Sequence, residues 1–160
     1  MKAPERPEYA ETLILLEELL AGWPQKVVVI DGKPCAGKTT LGRFLAWRLS
    51  VSLLETDLFL KRNQGRYLYN EEALKVVIDY LEQKDRPVII EGVVALQLLR
   101  KLDVQPDFHI HVICEKESEL EELAGFEKYN GFEEYAKYCS EFQPKKHADH
   151  VLDLPKLLRT

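Results

Sequence analysis

Nine consecutive residues in the first quarter of the chain combine backbone freedom with positive charge and hydroxyl groups. They are Gly32, Lys33, Pro34, Cys35, Ala36, Gly37, Lys38, Thr39 and Thr40, and they match the pattern G-x-x-x-x-G-K-[ST]. The two glycines permit a tight turn and a close backbone approach. Backbone N–H groups in such a turn point at phosphate oxygens. The sequence therefore predicts a phosphate-binding loop.

The residues on either side of this loop fit the same prediction. Lys26 to Asp31 reads K-V-V-V-I-D, a β-branched run typical of a buried parallel strand. After the loop, Leu41, Phe44, Leu45 and Leu49 recur at helical spacing. The alternative is a chance match in a glycine-containing turn, and this strand–loop–helix order disfavours it.

Each polar side chain of the loop has a predicted role. Lys38 would reach the β- and γ-phosphates of ATP, the Thr39 hydroxyl would bind Mg²⁺, and Thr40 would donate to the α-phosphate. Cys35 lies beside a predicted helix N-terminus, where the pKa of a thiol is lowered. A redox role for Cys35 is one interpretation, and we favour the other, a small residue in a tight loop.

Length and composition predict a single domain over residues 1–160. The formal net charge is −5 and no basic run is present, which disfavours binding to nucleic acid or to an anionic membrane. No apolar run is long enough to span a bilayer. Three cysteines without paired spacing indicate a reduced, cytoplasmic location. The oligomeric state is not predicted.

Strand and helix patterns alternate along the chain. This alternation predicts an α/β fold, a five-stranded parallel sheet flanked by helices. The predicted strands are 26–31, 51–56, 88–90, 108–114 and 148–154, and the predicted helices include 9–20, 71–84 and 93–102.

Two acidic residues follow predicted strands at the edge where the phosphate loop would lie. Asp57 follows the second strand and suits a base that takes the proton of an acceptor hydroxyl. Glu91 ends the third strand and suits a carboxylate that holds Mg²⁺ through a bound water. The alternatives are a turn or helix cap for Asp57 and a solvent-exposed strand end for Glu91.

Further candidate functional residues, with less specific patterns, either follow Asp57 or lie in the fourth predicted strand. One interpretation is that an acceptor is bound through charge and aromatic stacking by Arg62, Arg66, Tyr67 and Tyr69. The other is that these residues form an exposed polar loop with the aromatic rings packed beneath it. His109 and His111 share one strand face, but a metal site is disfavoured because no third ligand lies at useful spacing.

Three blocks together resemble the uridine kinase and phosphoribulokinase branch of the P-loop kinases. They read I-D-G-K-P-C-A-G-K-T-T-L, L-L-E-T-D-L-F-L and V-I-I-E-G-V, and the tail from Phe142 to Val151 is similar to that branch as well. The resemblance implies the P-loop NTPase fold with strand order 2-3-1-4-5. It also implies that Asp57 is the catalytic aspartate and Glu91 the Walker B carboxylate.

The chain departs from this branch in two places. Leu58 and Leu60 stand where the branch usually has a serine and a tyrosine. The helical lid-like segment near 115–142 contains nine glutamates and no arginine, whereas the lids of the branch carry arginines. A lysine, Arg62 or Arg66 would supply this charge, or it is missing.

The sequence thus predicts an ATP- and Mg²⁺-dependent kinase that phosphorylates a hydroxyl of a small metabolite, with a nucleoside such as uridine the first expectation. Lys38 and Asp57 would be its catalytic residues. The alternative is a nucleotide-dependent switch that hydrolyses ATP slowly and binds a protein partner, which the arginine-poor lid segment favours.

Overall fold

The computed structural model describes residues 6–61, 67–114 and 132–155, and a five-stranded parallel sheet lies at its centre. The strand order is β2-β3-β1-β4-β5, so the predicted fold class and strand order are confirmed. The strands are β1 (Val27–Gly32), β2 (Ser52–Glu55), β3 (Val88–Glu91), β4 (Phe108–Ile113) and β5 (His150–Asp153).

Helices connect the strands and cover both faces of the sheet. They are α1 (Tyr9–Leu19), α2 (Lys38–Leu49), α3 (Glu71–Glu82), α4 (Ala95–Lys101), α5 (Phe132–Phe142) and α6 (Pro144–His147). The short helix α6 was not predicted; Pro144 starts it, a position where the fixed φ of proline is already helical. The second strand is one residue shorter than predicted at each end, and at its carboxyl end this is because Thr56–Phe59 forms a 3-10 turn.

Two apolar layers hold the sheet between these helices. Alternate residues of β1 point to opposite faces, so Val28 and Ile30 pack with α1 and α2, whereas Val27 and Val29 pack with α3, α4 and α5. All four valine and isoleucine side chains are buried. Burial on both faces explains why β1 reads as a continuous apolar run.

Parallel pairing brings the carboxyl ends of β1, β2 and β3 to one edge, where ligands bind in such sheets. Ile30 pairs with Glu91 and Glu55 also pairs with Glu91, so the three strand ends are level.

The predicted lid-like segment falls largely outside the described residues, and only its last part, α5, is described. The single-domain boundary of 1–160 stays a prediction. None of the described helices has the length and apolarity needed to cross a bilayer.

Candidate active site

Gly32 and Gly37 shape the phosphate loop between β1 and α2. Gly32 has φ 147°, and a Cβ at this position would lie 2.3 Å from the carbonyl oxygen of Val112 on β4. Gly37 precedes α2 with φ 93°, in the left-handed region that favours glycine. The loop can therefore leave β1 against its neighbour and direct the N-terminus of α2 toward a bound anion.

Lys38 lies inside this loop. Its side chain is buried, and Nζ donates a hydrogen bond to the carbonyl oxygen of Lys33 at 2.8 Å. Burial lowers the pKa of Lys38, while the negative charges of Glu91 and Asp57 act in the opposite direction. The structure thus places Lys38 between the loop and both predicted carboxylates.

Thr39 and Glu91 meet directly. The Thr39 hydroxyl donates to Oε1 of Glu91 at 2.9 Å, whereas the other carboxylate oxygen, Oε2, is buried and has no partner among the described residues. Glu91 is 1% exposed, so its interpretation as a solvent-exposed strand end is wrong. A hydroxyl beside a carboxylate oxygen that lacks a partner fits a magnesium ion with its bound water.

Burial governs the protonation of Glu91. It raises the pKa of this carboxyl, while the Thr39 hydrogen bond and the Lys38 charge oppose the shift. The charge on Glu91 is therefore destabilised by its surroundings, and a cation next to it would stabilise that charge.

Asp57 lies in the 3-10 turn that follows β2. It is not the cap of this turn, since Glu55 occupies the capping position and no side-chain cap bond is made. The residue keeps substantial exposure, yet partial burial of the carboxyl raises its pKa, and the charge of Lys38 opposes that shift. Asp57 therefore stands at the open side of the site, within electrostatic reach of Lys38.

Two hydroxyl groups lie beside these carboxylates. Thr56 and Tyr69 are 1% and 6% exposed, and neither hydroxyl has a partner with hydrogen-bonding geometry among the described residues. Burial raises the pKa of Tyr69, as do the charges of Asp57 and Glu91, while the neighbouring Thr56 hydroxyl lowers it. We name Thr39, Thr56, Tyr69 and Glu91 the Glu91 cluster. The sequence analysis missed Thr56, and its place immediately before Asp57 was the signal.

The remaining acceptor-side candidates have different outcomes. Tyr67 packs against the hydrophobic core, and its backbone N–H donates to the Glu134 carboxylate on α5. This contact favours the packing interpretation of Tyr67. Arg62 and Arg66 lie outside the described residues.

Arg43 on α2 also lies near this edge. Its guanidinium forms two hydrogen bonds with the Glu55 carboxylate, at 2.6 and 2.9 Å. In such a bidentate pair, the charges of the guanidinium and the carboxylate compensate each other. Arg43 is therefore a structural partner of Glu55.

A second buried polar group lies on the other face of β1, and we name it the Asp31 cluster: Asp31, His109, His111 and Tyr138. Oδ1 of Asp31 is 2.6 Å from Nε2 of His109 and 2.7 Å from Nδ1 of His111. The Tyr138 hydroxyl on α5 donates to Oδ2. Burial opposes ionisation of Asp31, but the histidine hydrogen bonds prevail and lower its pKa. Both carboxylate oxygens are thus occupied.

The Asp31 cluster corrects one step of the sequence analysis. The two histidines were expected to lack a third ligand, but Asp31 brings one, and the three ligand atoms lie within 4.8 Å of one another. Asp31 and His111 are paired residues of neighbouring strands, separated by 80 positions in sequence. The direct hydrogen bonds, at 2.6 and 2.7 Å, satisfy these groups without an ion.

The chain is similar in sequence to named kinases over part of its length. It is 39% identical over 82 residues to a shikimate kinase of Thermobifida fusca, which covers 44% of each chain. It is 28% identical over 105 residues to a "Putative adenylate kinase" of Methanocaldococcus jannaschii, covering 60% of this chain and 56% of that protein. The chain thus spans about half the length of these curated relatives. No protein-family model matches it.

The fold is similar to a solved structure described as a "Possible Uridine Kinase" from Bacillus stearothermophilus. The TM-score is 0.61 at 20% sequence identity, and the match covers 91% of this chain and 100% of that one. The phosphate loop, the strand order and this structural similarity show the P-loop NTPase fold, and the sequence similarity to kinases extends over part of the chain.

Proposed function

We propose that this chain is an ATP- and Mg²⁺-dependent kinase that transfers the γ-phosphoryl group to a hydroxyl of a small metabolite. The observation that carries the proposal is the buried Glu91 carboxylate, hydrogen-bonded to Thr39 through one oxygen and without a partner for the other oxygen among the described residues. An unpartnered buried carboxylate oxygen is costly, and a hydrated magnesium ion would satisfy it. Thr39 and Glu91 would hold this ion, which supplies charge neutralisation between the phosphates.

The roles of the other residues follow from their positions. The loop amides from Gly32 to Thr40 and the Lys38 ammonium bind the phosphates and stabilise charge that develops during transfer. Asp57 accepts the proton of the attacking hydroxyl, and its raised pKa brings it closer to the pH of operation. The proton moves from the acceptor oxygen to the Asp57 carboxylate as the bond from that oxygen to the γ-phosphorus forms, and the bond between the γ-phosphorus and the β,γ-bridging oxygen breaks to release ADP.

We propose a nucleoside such as uridine as the acceptor of the phosphoryl group. The sequence blocks that resemble the uridine kinase branch support this choice, and so does the fold similarity to a "Possible Uridine Kinase". The sequence relatives named shikimate kinase and adenylate kinase support the wider class of small-molecule kinases.

ATP consumption tests the proposal directly. Purified protein with Mg²⁺ and ATP would be assayed against nucleosides, sugars and other small alcohols, beside an acceptor-free control. We expect consumption that depends on one acceptor and is abolished in Lys38→Ala. Slow consumption that ignores every acceptor would contradict the kinase and favour the nucleotide-dependent switch. Ligand-dependent association with a partner, measured by size-exclusion chromatography, would then support the switch.

A further inference from the structure

The hydroxyl groups of Thr56 and Tyr69 have no structural task that the described residues explain. Both side chains are more than nine-tenths buried, and apart from each other the two hydroxyls have no neighbour among the described residues that approaches hydrogen-bonding geometry. Buried polar groups in native proteins are nearly always paired, so an unpaired hydroxyl indicates a partner from outside the fold. Two such groups lie side by side here.

The backbone brings Tyr69 back to the catalytic edge. Leu60 and Tyr69 form an isolated antiparallel bridge, and hydrogen bonds join Lys61 N to Leu68 O at 2.7 Å and Asn70 N to Phe59 O at 2.8 Å. These contacts hold residues 59–61 against residues 68–70. Tyr69 is thus held beside the turn that carries Asp57, by contacts that do not involve its hydroxyl.

Thr56 is fixed by shape. A Cβ placed on Gly92, the residue after β3, would lie 2.0 Å from Oγ1 of Thr56. Only glycine leaves room for this side chain, which therefore packs over the end of β3 next to Glu91. The absence of a side chain at Gly92 thus makes room for the Thr56 hydroxyl, which has no hydrogen-bond partner of good geometry among the described residues.

The charges around the two hydroxyls are negative. The carboxylates of Asp57 and Glu91 both act on Tyr69. Of the described cations near this edge, Lys38 would face the phosphates of ATP in the proposed complex, and Arg43 pairs with Glu55. A phosphate or carboxylate placed here would be repelled, whereas a neutral polyhydroxyl group would find two hydroxyl partners and a base.

We propose that Thr56 and Tyr69 bind the phosphoryl acceptor, and that the part of the acceptor next to Asp57 is uncharged and carries at least two hydroxyl groups. This inference rests on the proposed kinase activity and specifies its acceptor. One acceptor hydroxyl faces Asp57 and is phosphorylated. A second exchanges hydrogen bonds with Thr56 and Tyr69 and sets the orientation of the first.

Steady-state kinetics with defined acceptors tests this. Uridine and D-ribose are the neutral probes, and orotidine and D-ribonate, which carry a carboxylate but keep the free primary hydroxyl, are their anionic counterparts. We expect the better neutral probe to exceed its anionic counterpart by about tenfold or more in kcat/KM. Tyr69→Phe and Thr56→Val should each lower kcat/KM for that acceptor by about 10- to 100-fold, chiefly through KM, with the KM for ATP unchanged. Tyr80→Phe, at an exposed tyrosine of α3, is the matched control and should behave as wild type.

Thermal unfolding provides a readout without an acceptor. If the hydroxyls serve a ligand, Tyr69→Phe and Thr56→Val leave the Tm unchanged or raise it, because an unpaired buried group is removed. A marked fall in Tm would show that the hydroxyls serve the fold and would overturn the inference. An anionic compound as best acceptor, or unchanged acceptor KM in both variants, would overturn it while the kinase stands. Consumption indifferent to all four probes would overturn both.

Discussion

The Glu91 cluster and the Asp31 cluster are both buried, both polar and both at the end of a central strand, yet their hydrogen bonding differs. Three atoms of the Glu91 cluster lack partners among the described residues, namely Glu91 Oε2, Thr56 Oγ1 and the Tyr69 hydroxyl. In the Asp31 cluster, both oxygens of the carboxylate accept hydrogen bonds. The chemistry of the side chains is similar, so residue type alone does not separate a ligand site from a structural network. The state of their hydrogen bonds does.

The two carboxylates, Glu91 and Asp31, point to opposite faces of the sheet. Glu91 contacts α2, where a Cβ on Gly42 would lie 3.7 Å from its Cγ. Asp31 faces α5 through Tyr138. The unsatisfied carboxylate thus faces the phosphate-loop helix, whereas Tyr69 packs in the same apolar layer as Tyr138. We expect substitutions in the Glu91 cluster to change turnover and those in the Asp31 cluster to change stability.

The largest effect should come from the carboxylate beside the Glu91 cluster. Asp57→Asn should lower turnover about 10²- to 10⁴-fold, because the amide cannot accept the acceptor proton. The affinity for ATP, measured by equilibrium binding, should stay unchanged. His109→Gln in the Asp31 cluster is the contrasting variant and should retain turnover in the fraction that folds. Normal turnover in Asp57→Asn would remove Asp57 from its proposed role.

The next effect is on stability and belongs to the Asp31 cluster. Asp31→Asn should lower the free energy of unfolding by about 3 kcal/mol, because an amide nitrogen cannot accept the bonds that a carboxylate oxygen accepts. This corresponds to a fall in Tm of about 6–12 °C. Asp79→Asn, at an exposed i,i+4 pair with Lys75, is the matched control and should cost less than about 1 kcal/mol.

Tyr138→Phe offers a milder version should Asp31→Asn fail to fold. It removes one donor to Asp31 and should lower the free energy of unfolding by about 1.5–3 kcal/mol.

The contribution of Asp31 to the free energy of unfolding should depend on pH with a definite sign. Because the pKa of Asp31 is lowered in the folded state, its contribution is present above 3.8 and is lost as the pH falls through the folded value. Equal urea midpoints for Asp31→Asn and wild type at neutral pH would contradict this account.

Glu91→Gln should shift stability in the other direction. Since burial raises the pKa of Glu91, its ionised form opposes folding, and the nucleotide-free variant should have a higher Tm than wild type at neutral pH. This gain should shrink as the pH falls toward 4.5, the ordinary value for this carboxyl. Turnover should fall about 10- to 100-fold, as metal-holding groups are weakened. A lower Tm at neutral pH would show that the Glu91 carboxylate is as structural as that of Asp31.

The smallest expected effect is that of added zinc. The three candidate ligand atoms of the Asp31 cluster already bond to one another, so Zn²⁺ should leave the Tm of the protein unchanged. Tight binding would instead stabilise the native state, by about 2.7 kcal/mol when the free ion exceeds Kd a hundredfold. A rise in Tm that disappears in His109→Gln would make the Asp31 cluster a metal site and erase its contrast with the Glu91 cluster.

The sequence predicted the fold well because its signals are local. The β-branched run of β1, the short apolar runs of the other strands and the glycines of the phosphate loop are each recognised within a few residues. The strand order came from the resemblance alone, since no spacing encodes it. The error at the end of β2 is also local: Thr56 continues the apolar pattern but starts the 3-10 turn.

The site was predicted only where its residues belong to such local patterns. The phosphate loop, Asp57 and Glu91 follow strands and were found, although their roles stay predictions. Asp31 and Tyr138 were missed as partners because 107 positions separate them, and only strand pairing and helix packing bring them together. The partners of the His109 and His111 side chains were missed for the same reason.

The bridge between Leu60 and Tyr69 bears on how acceptor preference would change in evolution or design. The contacts that hold Tyr69 in place come from residues on either side of the stretch between Lys61 and Leu68. Closing a longer stretch costs little, about 0.6 kcal/mol for each doubling of its length. If Tyr69 binds the acceptor as proposed, we expect insertions in this stretch to leave both Tyr69 and the phosphate-binding edge in place.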